Sequence, residues 1–277
     1  MDGGSLELVG GRLRTHDFGT AQMPPYLLLA RGGDLRAHGC RLQGPCANPP
    51  DGFWGLVRVE GSGEASVERV RGCALHQCVL LSPRMGVHVA GPGARVILEQ
   101  CLAVTGTEAL HLQPGPRATD RLNVQCILEH TTVASRRAVA WVDDARQLGR
   151  VTEPAVIQTK ACVFQNPFAG KDKAPSPAGV FLYDGYALPR GLAAWQGEGD
   201  VFDKRLHFFA APATPEGAPY GVDKLQPRAA WARAWGPLGE QQATYEVPLR
   251  GTVDFEKLQL ERLALPSYLN LKGSPGA

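Results

Sequence analysis

The sequence predicts an all-β chain wound as a right-handed, single-stranded parallel β-helix of about six or seven coils, with a short C-terminal capping region. Three observations predict it. A short phrase recurs at intervals of roughly 30 residues. Each copy has an internal period of two. Glycine- and proline-rich turns separate the strands of each copy. A repeat of this length marks stacked units whose apolar faces are buried only by their neighbours.

The phrase is Leu6-Glu7-Leu8-Val9-Gly10-Gly11-Arg12-Leu13, echoed by Leu35-Arg36-Ala37-His38-Gly39-Cys40-Arg41-Leu42. Further copies follow at Val67 to Leu75, Val96 to Ala103, Leu122 to Leu128 and Val156 to Phe164. Aligned on Gly11, Cys40, Cys73, Cys101, Cys126 and Cys162, all six carry an apolar residue two places on. Alternation such as Leu6/Leu8, Val87/Val89 and Leu110/Leu112 argues half-buried strands, and helical spacing is absent from the copies. A strand precedes each anchor strand: Tyr26 to Ala30, Leu56 to Glu60, Val87 to Ala90, Leu110 to Gln113, Val139 to Asp143 and Val180 to Tyr183. Turn formers such as Gly32-Gly33 and Gly91-Pro92-Gly93 lie between. A third short strand is expected after the anchor, as at Ala74 to His76 or Ile127 to Glu129. The right-handed rule for parallel crossovers sets the expected sense of winding.

Residues 1–209 are assigned to the helix and 210–277 to the cap. The pattern changes after Phe209, where Pro212, Pro215 and Pro219 mark a loop. Short helices are expected at Pro227 to Trp235 and from Asp254 to Leu258, with Asp254 as N-cap. The first strand begins at Leu6 with the inward pattern of a middle coil. That suggests a piece of a longer protein, a covering subunit, or end-to-end self-association through the open edge.

These coils resemble the right-handed β-helix of pectin lyase-like proteins over about residues 5–210. Trp195-Gln196-Gly197-Glu198-Gly199, with the cysteine-bearing coils, is also similar to β-helix regions of large multidomain bacterial proteins, some with a serine/threonine kinase domain upstream. No kinase motif is present here. The second resemblance implies a sensor, spacer or adhesive module.

Five of the seven cysteines fall in one slot of the aligned copies, and Gly11 fills it in the first. Small size is the shared property, which points to an inward stack of buried, reduced thiols. On that reading Cys101→Ser puts a hydroxyl into an apolar stack and costs about 1–3 kcal/mol if no partner is available. Cys46 and Cys78 lie off this alignment. No Cys/His spacing suits zinc, so no metal or cofactor is expected.

A net charge of +2 with 20% charged residues gives no strong attraction to nucleic acid or acidic membranes. No signal peptide or transmembrane segment is evident, so a cytoplasmic location is expected unless the chain is part of a longer exported protein. Phosphate-loop, nucleophile-elbow and metalloprotease motifs are absent.

The family resemblance implies that any activity lies on the outer face of one sheet, in rows contributed by successive coils. With Val57/Val59, Val87/Val89 and Leu110/Leu112 inward, the outward row is Arg58, His88, His111, Trp141 and Tyr183. Glu60, Gln113 and Asp143 follow in the next row, with Asp144 and Asp184 nearby. Aromatic faces cover sugar C–H groups, and His serves as acid or base near neutral pH. Neighbours on a strand face opposite ways, so only one of Asp143 and Asp144 serves such a groove. Glu198 and Asp200 shape a corner. The acidic cluster of pectate lyases and the motif set of polygalacturonases are missing. The expected function is therefore a non-catalytic module presenting an elongated surface to a carbohydrate or protein partner, or a scaffold within a larger protein. Arg58, His88, His111, Trp141, Tyr183 and Asp143 are its candidate ligand-binding residues, and no catalytic residue is assigned. The alternative is a polysaccharide lyase or glycoside hydrolase using His88, His111, Arg58 and Asp143.

Overall fold

The computed structural model describes residues 4–15, 24–45, 52–61, 71–113, 123–143, 153–166, 179–183, 193–210, 235 and 239–247. The first coil holds β1 (Ser5–Val9), β2 (Arg12–Arg14) and β3 (Tyr26–Arg31). The second holds β4 (Asp34–His38), β5 (Arg41–Gln43) and β6 (Gly55–Glu60), and the third β7 (Arg71–His76), β8 (Val79–Ser82) and β9 (Met85–Ala90). The fourth holds β10 (Ala94–Glu99), β11 (Leu102–Thr105) and β12 (Glu108–Gln113), and the fifth β13 (Gln125–Glu129), β14 (Thr132–Ser135) and β15 (Ala138–Val142). The sixth holds β16 (Ala155–Lys160), β17 (Val163–Gln165) and β18 (Gly179–Tyr183), and the seventh β19 (Ala193–Glu198), β20 (Val201–Asp203) and β21 (His207–Ala210). Two strands of an eighth follow, β22 (Glu240–Gln241) and β23 (Thr244–Val247).

Strands at equivalent places stack into three all-parallel sheets. Sheet one runs from β1 to β22, sheet two from β2 to β23, and sheet three from β3 to β21. The chain is a parallel β-helix. Two strands within the segment assigned to the cap extend sheets one and two, and Trp235, Ala243 and Tyr245 pack against the core. Tyr245 stacks on Phe202 with ring centroids 5.3 Å apart. The helix expected from Asp254 lies outside the described residues, as does that from Pro227 apart from Trp235.

The step from sheet one to sheet two recurs in every coil. Its first residue has a left-handed backbone: Gly10, Gly39, Gln77, Gln100, His130, Ala161, Gly199 and Gln242, with φ from 48° to 68°. A β-carbon there is disfavoured, by about 1–2 kcal/mol. Ala161 is exposed at φ 50°. Ala161→Gly is therefore expected to stabilise the fold by about 0.5–1 kcal/mol, after the glycine's extra unfolded-state freedom is deducted. A denaturation midpoint unchanged or lowered would contradict this.

The second residue of the step forms the true ladder. Backbone N–H groups reach from each coil to the one before it: Arg41 to Gly11, Val79 to Cys40, Leu102 to Cys78, Thr132 to Cys101, Val163 to Thr131, Val201 to Cys162 and Thr244 to Asp200. The ladder is thus Gly11, Cys40, Cys78, Cys101, Thr131, Cys162 and Asp200. Cys73 and Cys126 instead lie on β7 and β13, in one row with Val96 between them. The sequence alignment misplaced them by five residues, because Leu75 and Leu128 satisfy the same alternation as Leu80 and Val133. Cys78, set aside from sequence, belongs to the ladder. Cys46 lies outside the described residues.

The cysteine and threonine side chains of the ladder are hydrogen-bond donors, not inert spacers. Cys101 Sγ donates to Leu75 O at 3.2 Å and to Glu99 O at 3.3 Å. Cys78 and Cys162 make the equivalent pairs of contacts. Thr131 performs the same task with a hydroxyl, donating to Leu98 O at 2.9 Å while accepting Cys101 N–H at 3.2 Å. A hydroxyl at position 101 would therefore not enter an apolar stack, and Cys101→Ser should cost less than the ~1–3 kcal/mol expected for an unpartnered group. Serine has the same two acceptors and should hold stability within about 1 kcal/mol, whereas Thr131→Val should lose about 1–3 kcal/mol by stranding a buried amide. Equal losses in the two variants, read by urea denaturation, would contradict this. The six described cysteines are buried and free, as the sequence indicated for Cys40, Cys73, Cys101, Cys126 and Cys162 but not for Cys78, and burial pushes the Cys126 and Cys162 thiols up to about 12.

Sheet three breaks the simple alternation. Leu56 and Val57, Ala109 and Leu110, and Val139 and Ala140 are consecutive, yet both members of each pair are buried in the core. The in–out count slips by one at this point in successive coils. Register reflects the slip: Glu108 pairs with Ala138 and Leu110 with Ala140, with the residue between skipped. Residues three apart therefore share the outer face.

Candidate functional site

The outer row read from sequence is in register for four of its five members. Arg58 lies opposite His88, His88 opposite His111, and His111 opposite Trp141. Tyr183 does not join them. Leu182 is the partner of Trp141, and Tyr183 pairs with Val142. Counting by two from the buried Val180 carries across the slip and ends one residue out of register. Asp143 closes the row from one side. Asp144 and Asp184 lie outside the described residues.

The slip brings in two residues that strict alternation would turn inward. Tyr26 Oη lies 2.5 Å from His88 Nδ1, and Glu108 Oε1 lies 2.8 Å from His111 Nδ1. His88 Nε2 is 3.0 Å from Gln113 Oε1. An amide oxygen only accepts, so Nε2 carries the proton and Nδ1 accepts from the tyrosine hydroxyl. His111 Nε2 is 3.1 Å from Asp143 Oδ2, while Trp141 Nε1 donates to Asp143 Oδ1 at 3.0 Å. His111 stands between two carboxylates, and both its nitrogens donate.

The rings form one stack. Tyr26 and His88 centroids are 5.6 Å apart, His88 and His111 4.9 Å, and His111 and Trp141 6.0 Å with planes 6° from parallel. Arginines close both ends. Arg58 sits over the Tyr26 ring at 5.5 Å and Arg137 over Trp141 at 3.7 Å. Glu60 holds Arg31 at 2.6 Å and Arg58 at 2.8 Å.

Burial and charge separate the two histidines. Burial, helped by the charges on His111 and Arg58, lowers the His88 pKa to about 4. Burial would lower His111 as well, but hydrogen bonds to Asp143 and Glu108 outweigh it and raise its pKa to about 9. Desolvation pushes Asp143 up, yet its bond to His111 brings it below the usual carboxylate value. Burial raises the Tyr26 hydroxyl, only partly countered by Arg58. At neutral pH the row therefore holds a neutral His88 beside a charged His111.

The centre of the row is closed to solvent: His88 is 2% exposed, Tyr26 7% and Trp141 7%. The rim is open, with Gln113 exposed and Arg58, Glu60 and Asp143 half-buried. Among the described residues no three His, Cys, Asp or Glu side chains are placed to hold a metal ion, and no helix is long and apolar enough to cross a membrane.

A second buried polar group lies at the corner expected around Glu198 and Asp200. Glu198 pairs on the surface with Lys160 at 3.7 Å. Asp200 enters the ladder, accepting Thr159 Oγ1–H at 2.5 Å and Cys162 N–H at 2.8 Å. Glu240 accepts Trp195 Nε1–H at 2.8 Å, and its carboxylate occupies the space a β-carbon on Gly197 would need. Burial first, and then the neighbouring Asp200, raise the Glu240 pKa to about 8.

No family model matches the chain, and neither does any curated protein or solved structure. Its placement among parallel β-helices therefore rests on the three stacked parallel sheets themselves.

Proposed function

We propose that the chain is a non-catalytic recognition module, in which the outer face of sheet three meets a carbohydrate or protein partner along its open rim. One observation carries this reading: each ring nitrogen of His88 and His111 already faces a partner within the row. Such a closed circuit fixes side chains rigidly at little further entropic cost on binding. An acid or base at work near neutral pH needs a pKa close to that pH, and these two histidines have been moved well away from it in opposite directions. The polar groups left to meet a partner are on the rim, at Arg58, Glu60, Gln113 and Asp143. Trp141 is covered by Arg137, so the row serves as a polar edge and not as an aromatic sugar platform.

The rival reading, a polysaccharide lyase or glycoside hydrolase, is favoured by the short Tyr26–His88 contact. Tyr26 and His88 are both buried away from any polymer lying on the face. A glycan array run beside assays for reducing ends and unsaturated products separates the two. Binding that weakens in Gln113→Ala, with no turnover, supports the module. Turnover that vanishes in His88→Ala or His111→Ala overturns it.

A further inference from the structure

The outer face of sheet one takes no part in the row on sheet three, and it is hollowed over the last four coils. Two outward rows run there in unbroken register. Ile127, Gln158 and Gln196 lie opposite one another in the first. Glu129, Lys160, Glu198 and Gln241 do so in the second. Leu128, Thr159 and Gly197, between the rows, are buried, so both rows face the same way. A depression of about 430 Å³ lies over them, a size that suits a small ligand.

The polar atoms of this hollow are only partly engaged. Gln158 Nε2 donates to Gln196 Oε1 at 3.0 Å. That bond ties the two amides together and leaves Gln158 Oε1 as an acceptor and the Gln196 nitrogen as a donor, about 4.8 Å apart by coil spacing. Lys160 Nζ lies 3.7 Å from Glu198 Oε2, and both side chains are exposed. Among the described residues the Glu129 and Gln241 side chains have no bonding partner. Half-buried Ile127 supplies the apolar part of the floor.

This composition selects among ligands. Two carboxylates stand against one ammonium, which is already paired, so a polyanion is disfavoured. A cation would use Glu129 and leave three amides idle. No aromatic ring lines the hollow, and one aliphatic side chain gives an apolar protein segment little to bury. Donors and acceptors repeated from coil to coil suit groups that do both, and a hydroxyl both donates and accepts. Neighbouring sugar hydroxyls bridge the Gln196 nitrogen and the Gln158 or Glu129 oxygens, while ring C–H groups rest on Ile127. We infer that the hollow around Gln158, Gln196, Glu129 and Gln241 is a binding site for an uncharged oligosaccharide lying across these four coils. It shares no residue with the row on sheet three, so each stands or falls without the other.

The test uses the whole chain and three neutral probes: cellohexaose, xylohexaose and mannohexaose. An oligogalacturonate and a short oligolysine serve as comparison probes. At least one neutral hexaose should shift the side-chain amide resonances of Gln158, Gln196 and Gln241, with a Kd of about 1 mM and little change on adding salt. Gln158→Ala and Gln196→Ala should each weaken binding by about threefold or more. Both residues are exposed, so thermal melts of these variants should match the parent. Gln113→Ala, on sheet three, should leave this titration unchanged. The inference is overturned if no neutral hexaose moves these resonances at about 10 mM. It is equally overturned if either charged probe binds more tightly, or if both glutamine variants bind as the parent does. Loss of the titration in Gln113→Ala would place the sugar on sheet three and likewise remove the site on sheet one. Turnover of any of these probes that vanishes in His88→Ala, with the Gln158 titration intact, would remove the reading of sheet three and leave this one.

Discussion

His111→Phe is expected to lower folding stability by about 3–5 kcal/mol, because it removes the cation from between two acids. Glu108 is 3% exposed, and its second carboxylate oxygen already lacks a hydrogen-bond partner. Without the imidazolium this buried charge stands alone. Asp143 is more exposed and suffers less. The double variant His111→Phe with Glu108→Leu should recover much of the loss, since an apolar pair of similar volume replaces the ion pair whole. Urea denaturation of the four-member cycle measures both quantities. A single-variant loss below about 1 kcal/mol would mean that the charged network is incidental to the fold.

Loss of stability with rising pH is the second large effect. His111 has its pKa raised to about 9 in the fold, against about 6.5 in an unfolded chain. Its contribution is complete below the unfolded value and disappears as pH climbs through 9. A shift of this size corresponds to about 3 kcal/mol. Glu240 acts in the same direction over a lower window. The fold holds a proton on it up to about pH 8, whereas an ordinary glutamate releases it near 4.5. His88 works oppositely, because it resists protonation until about pH 4, so its contribution is lost as pH falls below the unfolded histidine value. Glu240→Gln should flatten the stability curve mainly between pH 4.5 and 8. His111→Gln should flatten it between about 6.5 and 9. Ring carbon resonances of labelled histidine should titrate near 4 for His88 and near 9 for His111. Two histidines titrating together near 6.5 would disprove the network.

The stacked strands were legible because period-two alternation survives in Leu6/Leu8, Val87/Val89 and Leu110/Leu112, and because turn formers punctuate it. Alternation is blind to phase, however. Cys73 and Cys126 satisfied the same local rule as Cys78 and Thr131, and only the backbone contacts between coils distinguish corner from strand. Chemistry misled as well: a search for cysteines passes over Thr131 and Asp200, which occupy the same slot by virtue of polar atoms of the same reach. In the site, Arg58, His88, His111, Trp141 and Asp143 were legible from outward spacing. Tyr26 and Glu108 were not, because two consecutive buried residues shift the count within each strand of sheet three. Runs such as Leu56-Val57 and Ala109-Leu110, where apolar residues follow one another without a polar break, were the available signal.

Among the described residues, the passage from sheet one to sheet two takes two residues in each of the eight places where it occurs. The other two passages vary widely in length, from the short turn at Gly91 to the long span between β21 and β22. One constant joint and two elastic ones make each coil an interchangeable cassette. A break placed at the constant joint can receive a duplicated coil, or lose one, and the strands on either side still meet in register with the same carbonyl waiting for the incoming side chain. A protein so jointed can be lengthened or shortened by whole turns, with the passages of variable length left to differ in what the surface displays.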